Sequence, residues 1–131
     1  MLNLHKNHLP LFIILLSFIV AVAHVVALNF YLYWTFWWFD LSVHFLGGLW
    51  VALTSLWIYL FIYSEKELDR RKTFFIVFTA IVVVGGLWEA FEYFAGISPG
   101  DNFIMDTTTD ILMDLLGASA GLLYFRKTMS E

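Results

Sequence analysis

Glu89 and Glu92 stand three residues apart in the stretch GGLWEAFEYFAG, residues 85–96, which closes an apolar run, TFFIVFTAIVVV. Two further sets share this habit: Asp40 with His44, and Asp106 with Asp110 and Asp114, all at steps of four. Residues at i, i+3 and i+4 lie on one face of a helix. Glutamates at i and i+3 on one helix, with Asp or His at i and i+4 on two others, are how helical bundles aim ligands at a shared centre. An oxygen-rich set with an imidazole suits a divalent ion such as Mg²⁺, Mn²⁺, Fe²⁺ or Zn²⁺ better than a soft metal. The spacing therefore marks His44, Glu89, Glu92, Asp106, Asp110 and Asp114 as candidate metal ligands. His44 is also a candidate proton mover, with Asp40 one turn away to orient it.

These groups need helices to carry them, and composition says what the helices face. Of 131 residues, 61% are hydrophobic, 20% aromatic and only 14% charged, with a mean hydropathy of +0.80. A soluble domain needs more charge to cover its surface, so the excess apolar residues must face lipid. There is no cysteine, which excludes disulfides, thiolate ligands and cysteine nucleophiles. A net charge of −4 with no basic patch gives nucleic-acid binding no support. No linker or repeat divides the chain, so residues 1–131 read as a single membrane domain.

A crossing takes about 20 apolar residues, and four segments qualify: about 9–30, 41–63, 73–94 and 107–125. The fourth has the least apolar start. The first imitates a signal peptide, with Lys6, an apolar run and Ala-Val-Ala at 21–23. Its apolar run continues through Leu28, which favours an uncleaved helix. All seven basic residues fall on one side of the four-span arrangement: Lys6, Lys66, Arg70, Arg71, Lys72, Arg126 and Lys127. The positive-inside rule makes that side cytoplasmic. The expectation is an all-α four-helix bundle in the inner or plasma membrane of a bacterium or archaeon, with both termini inside. The outer side then receives an aromatic belt, YLYWTFWWFD at 31–40, and a turn around Ser98-Pro99-Gly100.

This orientation gives the polar residues a common depth. At about 1.5 Å per residue, His44 lies about 6 Å below Asp40, and Asp110 and Asp114 about 6 and 12 Å below Asp106. Glu92 and Glu89 lie about 5 and 9 Å below the outer end of their helix. Six carboxylates and one histidine thus crowd the outer third of the bilayer, with His24 near the same level. No Lys or Arg lies in the outer half of any span. Salt bridges cannot balance the cluster, which leaves protons or bound cations.

Structural roles compete with these. Asp40 and Asp106 could serve only as N-caps. Glu89 and Glu92 could be protonated and hydrogen-bonded to Thr107–Thr109, Trp88 or Tyr93. His24, with no partner one turn away, reads as a polar contact within the bundle rather than a ligand. Gly117 and Gly121 form a small-xxx-small face for close helix packing, and Gly47-Gly48 and Gly85-Gly86 permit close approach or a kink.

Three motifs, DLSVHFLGG at 40–48, WEAFEY at 88–93 and DTTTDILMDLLG at 106–117, together resemble the YjdF-like family of uncharacterised bacterial inner-membrane proteins. The matching positions are Asp40, His44, Glu89, Glu92, Asp106, Thr107, Asp110 and Gly117, over about the last two-thirds of the chain. The chain is shorter than typical members. A looser likeness runs from Asp110 to Gly121 with the VanZ-like family of glycopeptide resistance, with Asp114 where Asn would stand. The resemblance implies a membrane protein with this site and assigns no reaction.

The functional expectation is a metal-dependent enzyme acting on a lipid or lipid-linked phosphate, its ion lowering the pKa of a water. The alternatives are a cation- or proton-coupled transporter or channel subunit, which four helices would need a homo-oligomer to build, and a non-catalytic binder of envelope-lipid headgroups. The inner halves of all four spans lack ionisable residues, which weighs against a through-membrane polar route.

Overall fold

The computed structural model describes residues 8–63, 68–97 and 102–130. Lys6, Lys66 and the turn at Ser98-Pro99-Gly100 lie outside the described residues. The chain forms α1 (Leu9–Asn29), α2 (Leu32–Thr35), α3 (Trp37–Tyr63), α4 (Arg70–Ala95) and α5 (Phe103–Ser130).

Among the described residues, α1, α3 and α4 are long and apolar enough to cross a membrane. α5 is longer than any of them, but Asp106, Asp110 and Asp114 keep it out of that set. The apolar faces of the helices point outward. Phe18, Leu87, Phe94, Ile104 and Leu123 are each at least two-thirds exposed, a distribution that suits lipid and not water.

The helices begin and end for local reasons. α1 opens on Pro10 in its first turn, where a missing N–H costs nothing. It stops at Phe30, and Tyr31 follows in the left-handed conformation (φ 57°), starting the four-residue α2. The aromatic belt is therefore mostly helical: α2 takes Leu32–Thr35, and α3 opens at Trp37, four residues before the expected start. α4 is capped by Asp69, whose side chain accepts from the Lys72 N–H at 2.7 Å. It closes with Gly96 at φ 67°, whose N–H bonds the Tyr93 carbonyl while the Ile97 N–H reaches the Glu92 carbonyl. This Schellman closure ends α4 one turn beyond Glu92.

α3 is the hub on which α1, α4 and α5 pack. Its contact with α5 is the closest. A Cβ on Gly48 would collide with the Asp114 carbonyl, and one on Gly117 with the Phe45 carbonyl; a Cβ on Gly121 would lie 3.0 Å from that of Ala52. Because the pairs 45–117 and 52–121 advance together, α3 and α5 run parallel. α1 and α4 run against them. Ser17 accepts from the Trp50 indole at 2.6 Å, and the ring of Phe12 of α1 lies tilted against that of Tyr124 of α5, centroids 5.1 Å apart. The beginning of α1 and the end of α5 thus share one end of the bundle. That end is filled by Leu9, Ile13, Leu53, Leu56, Leu60, Val77 and Phe125, an apolar cluster with no buried charged side chain among the described residues.

Candidate metal centre

The polar layer lies at the opposite end of the bundle from that cluster and draws on three helices. α3 contributes Asp40 and His44, α4 contributes Glu89 and Glu92, and α5 contributes Asp106, Asp110 and Asp114. All seven are at least partly buried, and His44, Glu89, Glu92, Asp110 and Asp114 are buried outright. The close α3–α5 contact brings this about: with Gly48 against the Asp114 backbone, short aspartate side chains reach the imidazole. Gly85 on α4 leaves room for Asp114, whose Oδ2 lies 3.1 Å from where a Cβ would stand.

His44 is the focus. Its Nδ1 is hydrogen-bonded to Asp114 Oδ1 at 3.3 Å. Its Nε2 faces three carboxylates: Asp40 Oδ1 at 3.7 Å, Glu92 Oε2 at 3.8 Å and Asp110 Oδ2 at 3.9 Å. These last distances are too long for hydrogen bonds. They are slightly wider than the ~3–3.5 Å that separates neighbouring donors around an ion bound at about 2.0–2.2 Å. His44, Glu89, Glu92 and Asp110 each offer a donor atom within 4.8 Å of the others. A second set, Asp40, Asp106 and Asp110, meets the same limit and shares Asp110.

The polar atoms of this layer are short of partners. His44 Nε2, Glu89 Oε1, Thr107 Oγ1 and both oxygens of Asp110 are buried without a hydrogen bond. Buried polar groups are nearly always paired, and an unpaired buried carboxylate carries a large desolvation cost. Asp110 is the extreme case, at 1% exposure. Protonation or a bound cation would relieve that cost, and the set could hold a metal ion.

The structure brings together every residue named from spacing, and it redistributes their surroundings. Asp40, expected to orient His44, faces Nε2, the same nitrogen that faces Glu92 and Asp110. Asp114 holds the other nitrogen instead. Neither Asp40 nor Asp106 is an N-cap, since α3 and α5 start at Trp37 and Phe103 and both residues sit within the first turn. Of the hydrogen-bonding alternatives for the glutamates, Thr108 and Thr109 bond carbonyls of their own helix and Tyr93 is exposed beside Phe94 and Phe103, while Thr107 of α5 faces Glu89.

His24 stands apart, as a bundle contact: its Nδ1 pairs with the Tyr33 hydroxyl at 2.7 Å, and its ring meets Trp88 edge-on at 5.0 Å. Tyr33, read from sequence only as part of the belt, has no periodic partner that would have marked it. Beside this polar layer lies a largely apolar cavity of about 120 Å³ between α1, α3 and α4. Val20, Val51, Ile81 and Trp88 help to wall it, and His44 and Asp114 form its polar end.

No curated protein and no solved structure matches the chain. A family model described as "Predicted membrane protein (DUF2238)" matches residues 1–131, a wider extent than the last two-thirds that carry the YjdF-like motifs. The YjdF-like resemblance is consistent with that family, and the VanZ-like one finds no support. The chain thus belongs to the DUF2238 family of membrane proteins.

Proposed function

We propose that this protein is a divalent-metal-dependent membrane enzyme acting on a lipid or lipid-linked phosphate at the extracytoplasmic face. The observation that carries the reading is Asp110, buried to 1% exposure with both oxygens unpartnered, beside an equally unpartnered His44 Nε2. Burial of this kind persists when a cation completes the set. His44, Glu89, Glu92 and Asp110 would hold an ion of the Mg²⁺, Mn²⁺, Fe²⁺ or Zn²⁺ class. Such an ion would supply Lewis acidity at a phosphoryl oxygen and would lower the pKa of a bound water, so that hydroxide is available to attack the phosphorus.

The chain's own residues set the conditions. Asp114 at Nδ1 selects the tautomer whose Nε2 lone pair faces the ligand set, so the imidazole is poised to ligate or to take a proton. α3 and α5, running parallel, both open at this end, and their N-terminal dipoles favour an anionic headgroup. The adjoining apolar cavity provides a place for the first methylenes of a lipid chain. The apolar cluster at the other end, with Leu53, Leu56 and Val77, argues against an ion path through one subunit. A transporter would need an oligomer to build one.

In this reading α5 is the fourth crossing, its three aspartates turned inward and Ile104, Leu112, Leu116 and Leu123 turned to lipid. Both chain ends are then cytoplasmic, in a bacterial or archaeal inner or plasma membrane, by the positions of the basic residues.

The first experiment is elemental analysis of the protein purified without chelators, unmodified and as Glu89→Gln and Asp110→Asn. The expected result is stoichiometric metal in the unmodified protein, greatly reduced in both variants. An unmodified protein that carries no metal and takes up none on titration ends the metal-dependent reading and moves proton-coupled transport or headgroup recognition ahead. With metal established, hydrolysis of lipid phosphate esters by the unmodified protein and by His44→Gln separates an enzyme from a binder.

A further inference from the structure

We infer that the centre holds two divalent ions and not one, with Asp110 as the carboxylate bridge between them. The inference rests on the metal-dependent reading above and deepens it. Two donor sets meet at this layer. The inner set is His44, Glu89, Glu92 and Asp110, and the outer set is Asp40, Asp106 and Asp110. Asp110 is the one residue common to both.

A carboxylate bridge needs two free oxygens, one for each ion. Asp110 has them: neither Oδ1 nor Oδ2 has a hydrogen-bond partner, and the residue is the most buried carboxylate of the layer. Its Oδ2 is on the His44 side, 3.9 Å from Nε2. Asp114 belongs to neither set and stays with His44 Nδ1.

Charge points the same way. Asp40, Glu89, Glu92, Asp106, Asp110 and Asp114 are six carboxylates around one imidazole, with no Lys or Arg in the layer among the described residues. One divalent ion offsets two of those six charges; a second doubles the offset, and in a low-dielectric site that difference is large. The outer set is the more open of the two, Asp40 keeping 17% of its side chain exposed. The second ion therefore faces the entrance, where a phosphate would arrive. Ions about 3.5–4 Å apart clamp both the attacking and the leaving oxygen of an in-line displacement, which makes phosphate esters the substrate class that such a pair fits best.

Manganese is the probe that reports number and proximity together. Chelator-stripped protein in detergent would be titrated with Mn²⁺, bound metal measured by elemental analysis and coupling by electron paramagnetic resonance. The unmodified protein should bind two equivalents and show an exchange-coupled spectrum. Asp106→Asn and, independently, Asp40→Asn should each fall to one equivalent with an isolated-ion spectrum, which also shows that the variants are folded. Asp110→Asn should abolish coupling. A single equivalent with an isolated-ion spectrum in the unmodified protein overturns the pair and leaves the one-ion centre standing. No uptake at all overturns both. Two equivalents that survive Asp106→Asn and Asp40→Asn also overturn the assignment of the outer set.

Discussion

Asp114 and Asp40 exchange places around His44, and spacing alone could not have told which would do which. Asp40 is one turn from His44 on the same helix, so sequence makes it the natural orienting group. The tight approach of α3 and α5 at Gly48 brings Asp114 to Nδ1 from across the bundle instead. The candidate residues and the helices that gather them are therefore legible in sequence, because i, i+3 and i+4 spacing fixes a face. The partner of each nitrogen is not, because it depends on the rotation of one helix against another. A consequence follows for Asp114. If it positions His44 without touching the ions, Asp114→Asn should weaken Mn²⁺ affinity by about 10- to 100-fold, the usual effect of losing such a partner, while the number of ions at saturation stays the same. Isothermal titration at fixed pH reads both quantities. A drop in stoichiometry would make Asp114 a ligand.

The elements were read well in their interiors and less well at their ends. Apolar length located α1, α3 and α4 to within a few residues, but α3 begins at Trp37, inside what looked like a loop of interfacial rings. Helix starts there are set by the left-handed Tyr31 and the extended Phe36, which no turn residue announces. The small-residue face of α5 was legible, since Gly117 and Gly121 are four apart. Its partner surface on α3, centred on Gly48, emerges only from the packing. Without a hydrophobic force between helices in lipid, such contacts hold by close van der Waals fit. Gly48→Ala should therefore destabilise the protein by the ~1–3 kcal/mol typical of overpacking and loosen the metal centre with it. Gly47→Ala is the control: nothing lies within 4 Å of its Cβ position, so its thermal unfolding in detergent should match that of the unmodified protein. Equal midpoints for the two variants would show that the α3–α5 contact is slack.

For the whole molecule the open matter is how α5 meets the bilayer, and geometry constrains the answer. α1 and α4 run one way and α3 and α5 the other, with Phe12 against Tyr124 bringing the start of α1 and the end of α5 to the same end. α3 and α4 are both long and apolar enough to cross, and α5 lies alongside α3 in parallel from Asp106 to Gly121. On the proposed reading a helix so placed spans whatever α3 spans, its acids shielded because Asp110 and Asp114 are buried. The chain has no cysteine, so single cysteines report sidedness cleanly. Asn102→Cys, just before α5, should react with a membrane-impermeant thiol reagent added to intact cells. Thr128→Cys, near the end of α5, and Arg70→Cys, at the start of α4, should react only after permeabilisation. Labelling of Asn102→Cys and Thr128→Cys from the same side would mean that α5 does not cross, and the polar layer would then have to sit at the surface, open to water, with no need of a cation to justify its burial.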